Sequence, residues 1–269
     1  MSIDFIKIIL GLLIIFILSI LTYKLQYLDR GGVIAGIIIG SIILIGFGWP
    51  ALILMMIFFI FSTFSTRLRY NYKRQLGFGE EKGGKRGWRN TLANGGIAAS
   101  SALASLFLGG VIFHVIFLGA IATSMADTLA TEIGLLSRSK PRLITNLRKK
   151  VDAGTSGGIS SLGELMIVSG SILIGILASF TGFFTIPILE VILIALSGGF
   201  IGSHIDSILG ATVQSMNRCL VCGVITENNK HHNKLTESFK GFRIIENNTV
   251  NFLSTLSGAL TAIGIFIII

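Results

Sequence analysis

Carboxylate and amide side chains lie within stretches of the sequence that are otherwise apolar. They are Asp127 and Glu132 in the stretch 111–136, Asp206 in the stretch 186–209, and Asn90 and Asn94 at the start of the stretch 92–109. An ionisable residue inside a membrane span is costly and usually faces the protein interior or a water-filled cavity. Because Mg²⁺ is usually held by one or two carboxylates together with substrate phosphates, Asp127 and Asp206 are predicted to bind Mg²⁺.

Helical spacing and depth extend this prediction to neighbouring residues. Asp127 and Glu132 lie on different faces of one helix. Glu132 is nevertheless kept as an alternative to Asp206 for the second metal ligand. Asn94 is predicted to lie at the same depth and is a candidate catalytic residue, and Asn90 is a candidate phosphate ligand. A structural alternative stays open for each aspartate, namely a hydrogen bond to a neighbouring helix.

A glycine-rich segment before the apolar stretch 161–182 has the composition of an anion site. Its candidate phosphate-binding residues are Gly154, Thr155, Ser156, Gly157 and Gly158. Glycines and hydroxyls at the start of a helix present unpaired N–H groups at the positive end of the helix dipole. Arg142 and the run Arg148, Lys149 and Lys150 lie upstream and are predicted to contact phosphate oxygens. The alternative is a capped turn whose basic residues determine only topology.

A second basic, glycine-rich segment covers residues 77–89 and contributes the candidate phosphate ligands Arg86 and Arg89. Residues 79–85 match the pattern G-x4-G-K, but Arg86 follows where a P-loop has Ser or Thr. We therefore reject a P-loop. Two interpretations stay open: a loop that closes over a nucleotide, or a loop that orients the protein near anionic lipid.

The elements that must position these residues are membrane helices. Of the 269 residues, 52% are hydrophobic and only 13% are charged, against about 25% in soluble domains. A bilayer core requires about 20 apolar residues per helix. Eight segments approach that length, and they are about 5–28, 33–48, 50–66, 92–109, 111–136, 161–182, 186–209 and 250–269. The sequence predicts an all-α polytopic membrane protein of about eight helices, forming a single membrane domain over 1–269.

The distribution of basic residues predicts the orientation. Lys7 is the only one of the 22 Lys and Arg residues that falls outside the predicted cytoplasmic side. The positive-inside rule places the loops 67–91, 137–160 and 210–249 in the cytoplasm and both termini outside. The site would then face the cytoplasm from the cell membrane. The two cysteines form no disulfide framework, which fits a reducing compartment.

Two further patterns suggest other chemistry. Cys219 and Cys222, with His231 and His232, supply four possible zinc ligands, although adjacent histidines are unlike the usual H-x3–5-H spacing. The alternative is a pair of loop thiols. An ion-coupled transporter using Asp127 and Asp206 as a relay is a second function class. It requires polar residues toward the outer face, where only His114 and Glu190 interrupt the apolar sequence; a scaffold is disfavoured by the clustered carboxylates.

Several motifs together resemble the transmembrane-protein-19 family, which includes a plant phytyl-phosphate kinase of tocopherol synthesis. They are DRGG at 29–32, KRGWRN at 85–90, ADTLATEIG at 126–134, PRLIT at 141–145, GTSGGIS at 154–160 and GSHIDSILGAT at 202–212. The resemblance covers about residues 28–260. It implies phosphoryl transfer from a nucleoside triphosphate, with CTP expected, to an isoprenyl monophosphate. No nucleic-acid partner is expected.

The residues and the resemblance lead to one hypothesis of mechanism. Asp127, with Asp206 or Glu132, binds Mg²⁺ that bridges the donor phosphates. The glycine segment and Arg142 hold the triphosphate, assisted by Arg86, Arg89 or the run 148–150, and Asn90 and Asn94 complete the metal shell or orient the acceptor. The isoprenyl tail stays among membrane lipid. A cytidylyltransferase that forms a CDP-lipid is the alternative reaction.

Overall fold

The computed structural model describes residues 2–70, 73, 85–227, 230–231 and 234–269, with the backbone alone for 2–4 and 231. This part of the chain contains seven long apolar helices, each long enough to cross a membrane. They are α1 (Ser2–Lys24), α2 (Arg30–Arg67), α3 (Trp88–Leu108), α4 (Val111–Gly134), α5 (Ser161–Phe180), α6 (Ile188–Thr212) and α7 (Asn247–Ile268). The prediction of a helical polytopic membrane protein is confirmed.

The 38-residue helix α2 folds back on itself. Gly48 has φ 75° and ψ −163° inside it, a left-handed conformation that favours glycine, and Pro50 follows. A straight helix of this length would hold its ends more than 50 Å apart, yet the Arg67 guanidinium donates to the carbonyls of Leu25 and Gln26, just before α2 begins. The two limbs correspond to the predicted spans 33–48 and 50–66. Eight crossings and the outside position of both termini stay predictions.

Helix α4 forms the centre of the bundle and packs against α2, α3, α5, α6 and α7. Small residues bring α4, α6 and α7 close together: a Cβ built on Gly119 would lie 2.7 Å from the Gly258 carbonyl oxygen, and one on Gly198 would lie 2.9 Å from the same oxygen. The Thr123 hydroxyl donates to the Gly198 carbonyl over 3.0 Å. Association through small residues is typical of membrane helices, and here it fixes the relative positions of α4 and α6.

Replacing Gly119 by Ala is expected to destabilise this three-helix contact by roughly 1–3 kcal/mol, because the added methyl overpacks a junction of backbones. Gly264→Ala on α7 is the matched control, since a Cβ there meets nothing within 4 Å. Thermal unfolding of both variants in detergent measures the difference. Equal melting temperatures for the two variants would contradict the close packing.

Short strands fold the polar segments at the bundle end that carries residues 137–160 and 213–246, termed the loop end below. Within the described residues they form two antiparallel three-stranded sheets, β2-β1-β3 and β5-β4-β8, and a β6-β7 hairpin. Their bounds are β1 (Arg142–Leu143), β2 (Asn146–Lys150), β3 (Gly158–Ile159), β4 (Met216–Arg218), β5 (Ile225–Thr226), β6 (Lys230–His231), β7 (Lys234–Leu235) and β8 (Glu237–Lys240). The membrane part is all-α, and the loops add the strands.

Candidate active site at the loop end

A cavity of about 1320 Å³ opens at the loop end between α3, α4, α5, α6 and α7. It brings together most of the residues that the sequence singled out. Those that line it are Arg86, Arg89, Asn90, Asn94, Asp127, Glu132, Gly154, Thr155, Ser156, Gly157, Gly158 and Asp206. The cavity is lined mostly by polar and charged residues although it lies at the end of an apolar bundle.

Six carboxylates among the described residues line this cavity, and three of them, from separate elements, act on one another. Asp127 belongs to α4, Asp206 to α6, and Glu227 follows β5. The charges of Asp127 and Glu227 both repel the charge of Asp206, and Glu227 also repels Asp127. Glu227 is accessible from the cavity, yet desolvation by the surrounding protein raises the pKa of its carboxyl. The hydrogen bond from the Gln214 amide lowers that pKa by a smaller amount. Like charges held together this way repel one another, and a proton or a bound cation would relieve that repulsion.

The N-termini of α3, α5 and α7 all face the cavity. They are represented in its lining by Arg89 and Asn90 of α3, Gly163 of α5, and Asn247, Asn248 and Asn251 of α7. No side chain caps α3 or α7, whose N-cap residues are Gly87 and Glu246. On α5, by contrast, the Ser160 hydroxyl accepts a hydrogen bond from the Gly163 N–H over 3.1 Å. Helix N-termini attract anions through free N–H groups and the helix dipole.

The glycine segment 154–158 lies against the C-terminal end of α6. Gly157 has φ 79° and contacts Ala211 so closely that a side chain would not fit there. Two of its N–H groups have partners within the loop: Thr155 donates to the Asp152 carbonyl over 3.1 Å and Gly158 to the Thr155 carbonyl over 2.8 Å. The segment therefore lines the cavity, while two of its five N–H groups already bond within the turn, and phosphate binding by this segment stays a prediction.

Glu132 and Arg86 line the cavity but are held by protein groups. The Lys73 ammonium lies 2.6 Å from Glu132 Oε2 and is 1% exposed, and it also donates to the Ser65 carbonyl at the end of α2 over 2.7 Å. Arg86 donates to the hydroxyls of Ser62 and Thr66. Both side chains thus connect α2 to the cavity wall, which supports a positioning role for them.

Arg142 lies outside the cavity lining, and the structure does not bring it to the site. Its guanidinium is exposed and donates to the Leu147 carbonyl over 2.6 Å within the β1–β2 turn. The pairing of β1 with β2 accounts for this direction, because it places Arg142 opposite Lys150. A phosphate contact from Arg142 has no support in this geometry.

Other predicted features fall partly or wholly beyond the residues that the structure describes. Residues 77–84 of the basic segment and His232 are outside them. Cys219 is buried and Cys222 exposed, in the turn between β4 and β5 where the Val221 N–H donates to Cys219 Sγ over 3.4 Å. Among the described residues, no group of three or more His, Cys, Asp or Glu is placed to hold a metal ion. Zinc at Cys219 and Cys222 stays a prediction.

Comparison with known proteins places the chain in a family. A family model described as "Integral membrane protein DUF92" matches residues 13–259. The chain belongs to the DUF92 family. The narrower resemblance to transmembrane-protein-19 proteins stays a prediction.

Three relatives of this DUF92 protein show how far the similarity extends. Protein PGR of Arabidopsis thaliana is 32% identical, over 96% of this chain and 96% of the relative. "Uncharacterized membrane protein MJ0933" of Methanocaldococcus jannaschii is 34% identical, over 77% of this chain and 83% of the relative. "Protein VTE6, chloroplastic" of Arabidopsis thaliana is 25% identical, over 88% of this chain and 64% of the relative. No solved structure matches this DUF92 chain.

Several residues that line the DUF92 cavity were not predicted from the sequence. They are Gln214, Glu227, Asn247, Asn248 and Asn251. The three asparagines lie at the start of the last span, so the criterion that selected Asn90 and Asn94, amides at the predicted cytoplasmic end of a span, would have found them. Gln214 and Glu227 lie within a loop whose fold depends on strand pairing, and no sequence signal marks them.

Gln214 connects three walls of the cavity and is 2% exposed. Its Oε1 accepts from Ser156 of the glycine segment over 2.9 Å, and its Nε2 donates to Glu227 over 2.9 Å and to Asn247 of α7 over 3.4 Å. Gln214→Met keeps the volume but removes all three hydrogen bonds, each of which contributes about 0.5–1.5 kcal/mol. We expect a lower melting temperature, whereas Gln26→Met, outside the cavity lining, leaves the melting temperature unchanged.

Proposed function

We propose that this DUF92 protein transfers the γ-phosphoryl group of a nucleoside triphosphate, with CTP expected, to an isoprenyl monophosphate. An oxygen of the acceptor phosphate bonds to the γ-phosphorus, the bond to the β-phosphate oxygen breaks, and an isoprenyl diphosphate and a nucleoside diphosphate result. The observation that carries the proposal is the convergence on one cavity of three helix N-termini and the carboxylates of Asp127, Asp206 and Glu227. Phosphoryl transfer requires positioning and charge neutralisation rather than covalent chemistry, and this arrangement supplies both.

The size and charge of the cavity support two phosphorylated substrates. Its volume of about 1320 Å³ exceeds the range of about 300–1,000 Å³ that is usual for a single small ligand. The α3 and α7 N-termini and the glycine segment would hold the triphosphate, with Arg89 nearby, although Arg89 also pairs with Glu246 over 3.1 Å. Asn90 and Asn94 would orient the acceptor. No general base is needed, because the acceptor phosphate is already anionic at neutral pH.

Mg²⁺ fits the donor set that the chain offers. Asp206 Oδ2 is buried with no hydrogen-bond partner, and the fields of Asp127 and Glu227 add to the negative charge around it. Asp127 and Asp206 would hold the ion, and two carboxylates suffice where substrate phosphates complete the shell. When bound, the ion would neutralise charge on the transferred phosphoryl group.

A lipid acceptor accounts for the membrane setting. The helices expose large apolar side chains along their outer surfaces, Leu92, Leu165 and Ile201 among them at the level of the cavity. An isoprenyl tail gains about 0.8 kcal/mol for each CH₂ that stays out of water, so a substrate of this class would remain in the bilayer while its phosphate enters the cavity. The motif resemblance described above supports the same substrate class.

A screen of nucleotides against acceptors tests the proposal. Purified protein is incubated with Mg²⁺, each of CTP, ATP, GTP and UTP, and isoprenyl monophosphates of several lengths, and products are identified by mass. We expect the isoprenyl diphosphate with a nucleoside diphosphate. A CDP-linked lipid with pyrophosphate would instead show nucleotidyl transfer, and turnover with no nucleotide and acceptor pair would overturn the proposal.

An ion-coupled transporter is less well supported by the described residues. The α4 residues between His114 and Thr123 are apolar and mostly buried. His114 itself lies among Phe47, Phe183 and Phe184, with its Nδ1 unpartnered. A relay from Asp127 toward the opposite end would have to cross this apolar zone, and an ion-flux assay in liposomes separates the two functions.

A further inference from the structure

Two buried oxygen atoms of α6 lie at the cavity without a hydrogen-bond partner. They are Ser203 Oγ, in a residue that is 1% exposed, and Asp206 Oδ2. Both residues line the cavity. Three buried side-chain atoms among the described residues lack a partner, and the third, His114 Nδ1, lies toward the opposite end of the bundle. Because buried polar atoms in native proteins are nearly always paired, these two indicate a bound group.

The charge around these atoms indicates which kind of group. Asp127 and Glu227 both add negative potential at Asp206. Among the described residues, five cationic side chains line the cavity, Lys85, Arg86, Arg89, Lys230 and Arg243. The charged groups that act on Asp206 are nevertheless carboxylates, Asp127 and Glu227. A water molecule would satisfy the two oxygens but leave the charge uncompensated. A divalent cation would bind both oxygens and would also compensate the negative charge.

The chemistry of the pair matches such an ion. Ser203 and Asp206 are three residues apart on a helix and therefore lie on one face. A carboxylate oxygen and a hydroxyl are both hard oxygen ligands, and the same pair, a Ser or Thr with an Asp, holds Mg²⁺ in P-loop enzymes. Ser203 Oγ has no hydrogen bond to break, and Asp206 Oδ2 is unpartnered although the Ser254 hydroxyl also acts on that carboxyl.

We infer that Ser203 Oγ and Asp206 Oδ2 form the protein half of a divalent-cation site that binds its ion before the nucleotide arrives. Asp127 on the facing helix α4 is the second carboxylate that would hold the ion. The inference rests on the proposed function in taking this cavity as the place of phosphoryl transfer. It adds Ser203 as a ligand and adds an order of binding, since the site exists without substrate phosphates.

Titration with Mn²⁺ alone, followed by electron paramagnetic resonance of the free ion, tests this in nonionic detergent without nucleotide. We expect Ser203→Ala to weaken Mn²⁺ binding about tenfold and Asp206→Asn about 100-fold. Ser171→Ala is the matched control, because Ser171 is fully buried but donates to the Ile167 carbonyl over 2.7 Å and lies outside the cavity lining. Melting temperatures without metal verify that each variant folds.

The outcomes separate this inference from the proposed function. Unchanged Mn²⁺ affinity in folded Ser203→Ala, or no Mn²⁺ binding by the unsubstituted protein in the absence of nucleotide, overturns the cation site even if the nucleotide screen yields product. The expected ranking of Mn²⁺ affinities supports the site. If the same protein forms no product in the screen, the proposed function fails while the cation site stands.

Discussion

Asp127→Asn is expected to lower the rate of phosphoryl transfer about 10³-fold, the loss typical when a preorganised electrostatic contact to a developing charge is removed. The substitution keeps the shape of the side chain but removes one of the charges that would hold Mg²⁺. Because Asp127 adds unfavourable potential at Asp206, its loss also relieves repulsion in the metal-free protein. We therefore expect a melting temperature that is unchanged or higher without Mg²⁺, together with the loss of turnover. Rates are measured with CTP and an isoprenyl monophosphate, and melting is followed in the same detergent.

Asp152→Asn is the matched control for Asp127→Asn. Asp152 is 88% exposed, where it pairs with Lys140 over 3.0 Å, and an exposed pair of this kind contributes about 0–1 kcal/mol to stability. The control is expected to keep full turnover and an unchanged melting temperature. Full turnover in Asp127→Asn would remove the metal-site assignment, and a lower melting temperature in the absence of Mg²⁺ would show that its carboxylate stabilises the fold.

Hydropathy and charge predicted the part of the site that the helices themselves carry. Asp127 and Asp206 stand in apolar stretches, and the depth at which each stretch crosses the bilayer follows from its length, so their meeting at one cavity was within reach of the sequence. The break at Gly48 was also foreseeable, since glycine and proline frame the link between two apolar runs. These features depend on local composition, which a single sequence contains.

Side-chain partners that are distant along the chain were not predictable in the same way. Lys73 meets Glu132 across 59 positions, and Gln214 meets Ser156 across 58. Arg142 was expected at the phosphates because it is basic and near the glycine segment, but the register of a short strand directs it outward. Such pairings are decided by loop tertiary structure, for which neither periodicity nor composition supplies a rule.

Separating the Lys73–Glu132 pair is expected to cost stability rather than catalysis. Lys73 is 1% exposed and Glu132 15%, so Glu132→Gln leaves a buried ammonium without its counter-charge, and removal of one partner from a buried ion pair typically costs about 3–5 kcal/mol. Lys73→Met should be comparably damaging, since Glu132 then loses its cation and the end of α2 loses its link to α4. Denaturant unfolding of both variants measures these losses.

The double variant Lys73→Met/Glu132→Met decides what Glu132 does. Removing both charges leaves no unpaired ion, and replacing a buried pair by apolar side chains is often neutral or stabilising, so we expect most of the stability to return as a coupling energy in the double-mutant cycle. If Glu132 only holds α2 against the cavity wall, turnover returns with stability. If Glu132 is instead the second metal ligand beside Asp127, the double variant folds well but stays inactive. Stability and rate, measured on the same four proteins, thus distinguish a positioning carboxylate from a catalytic one.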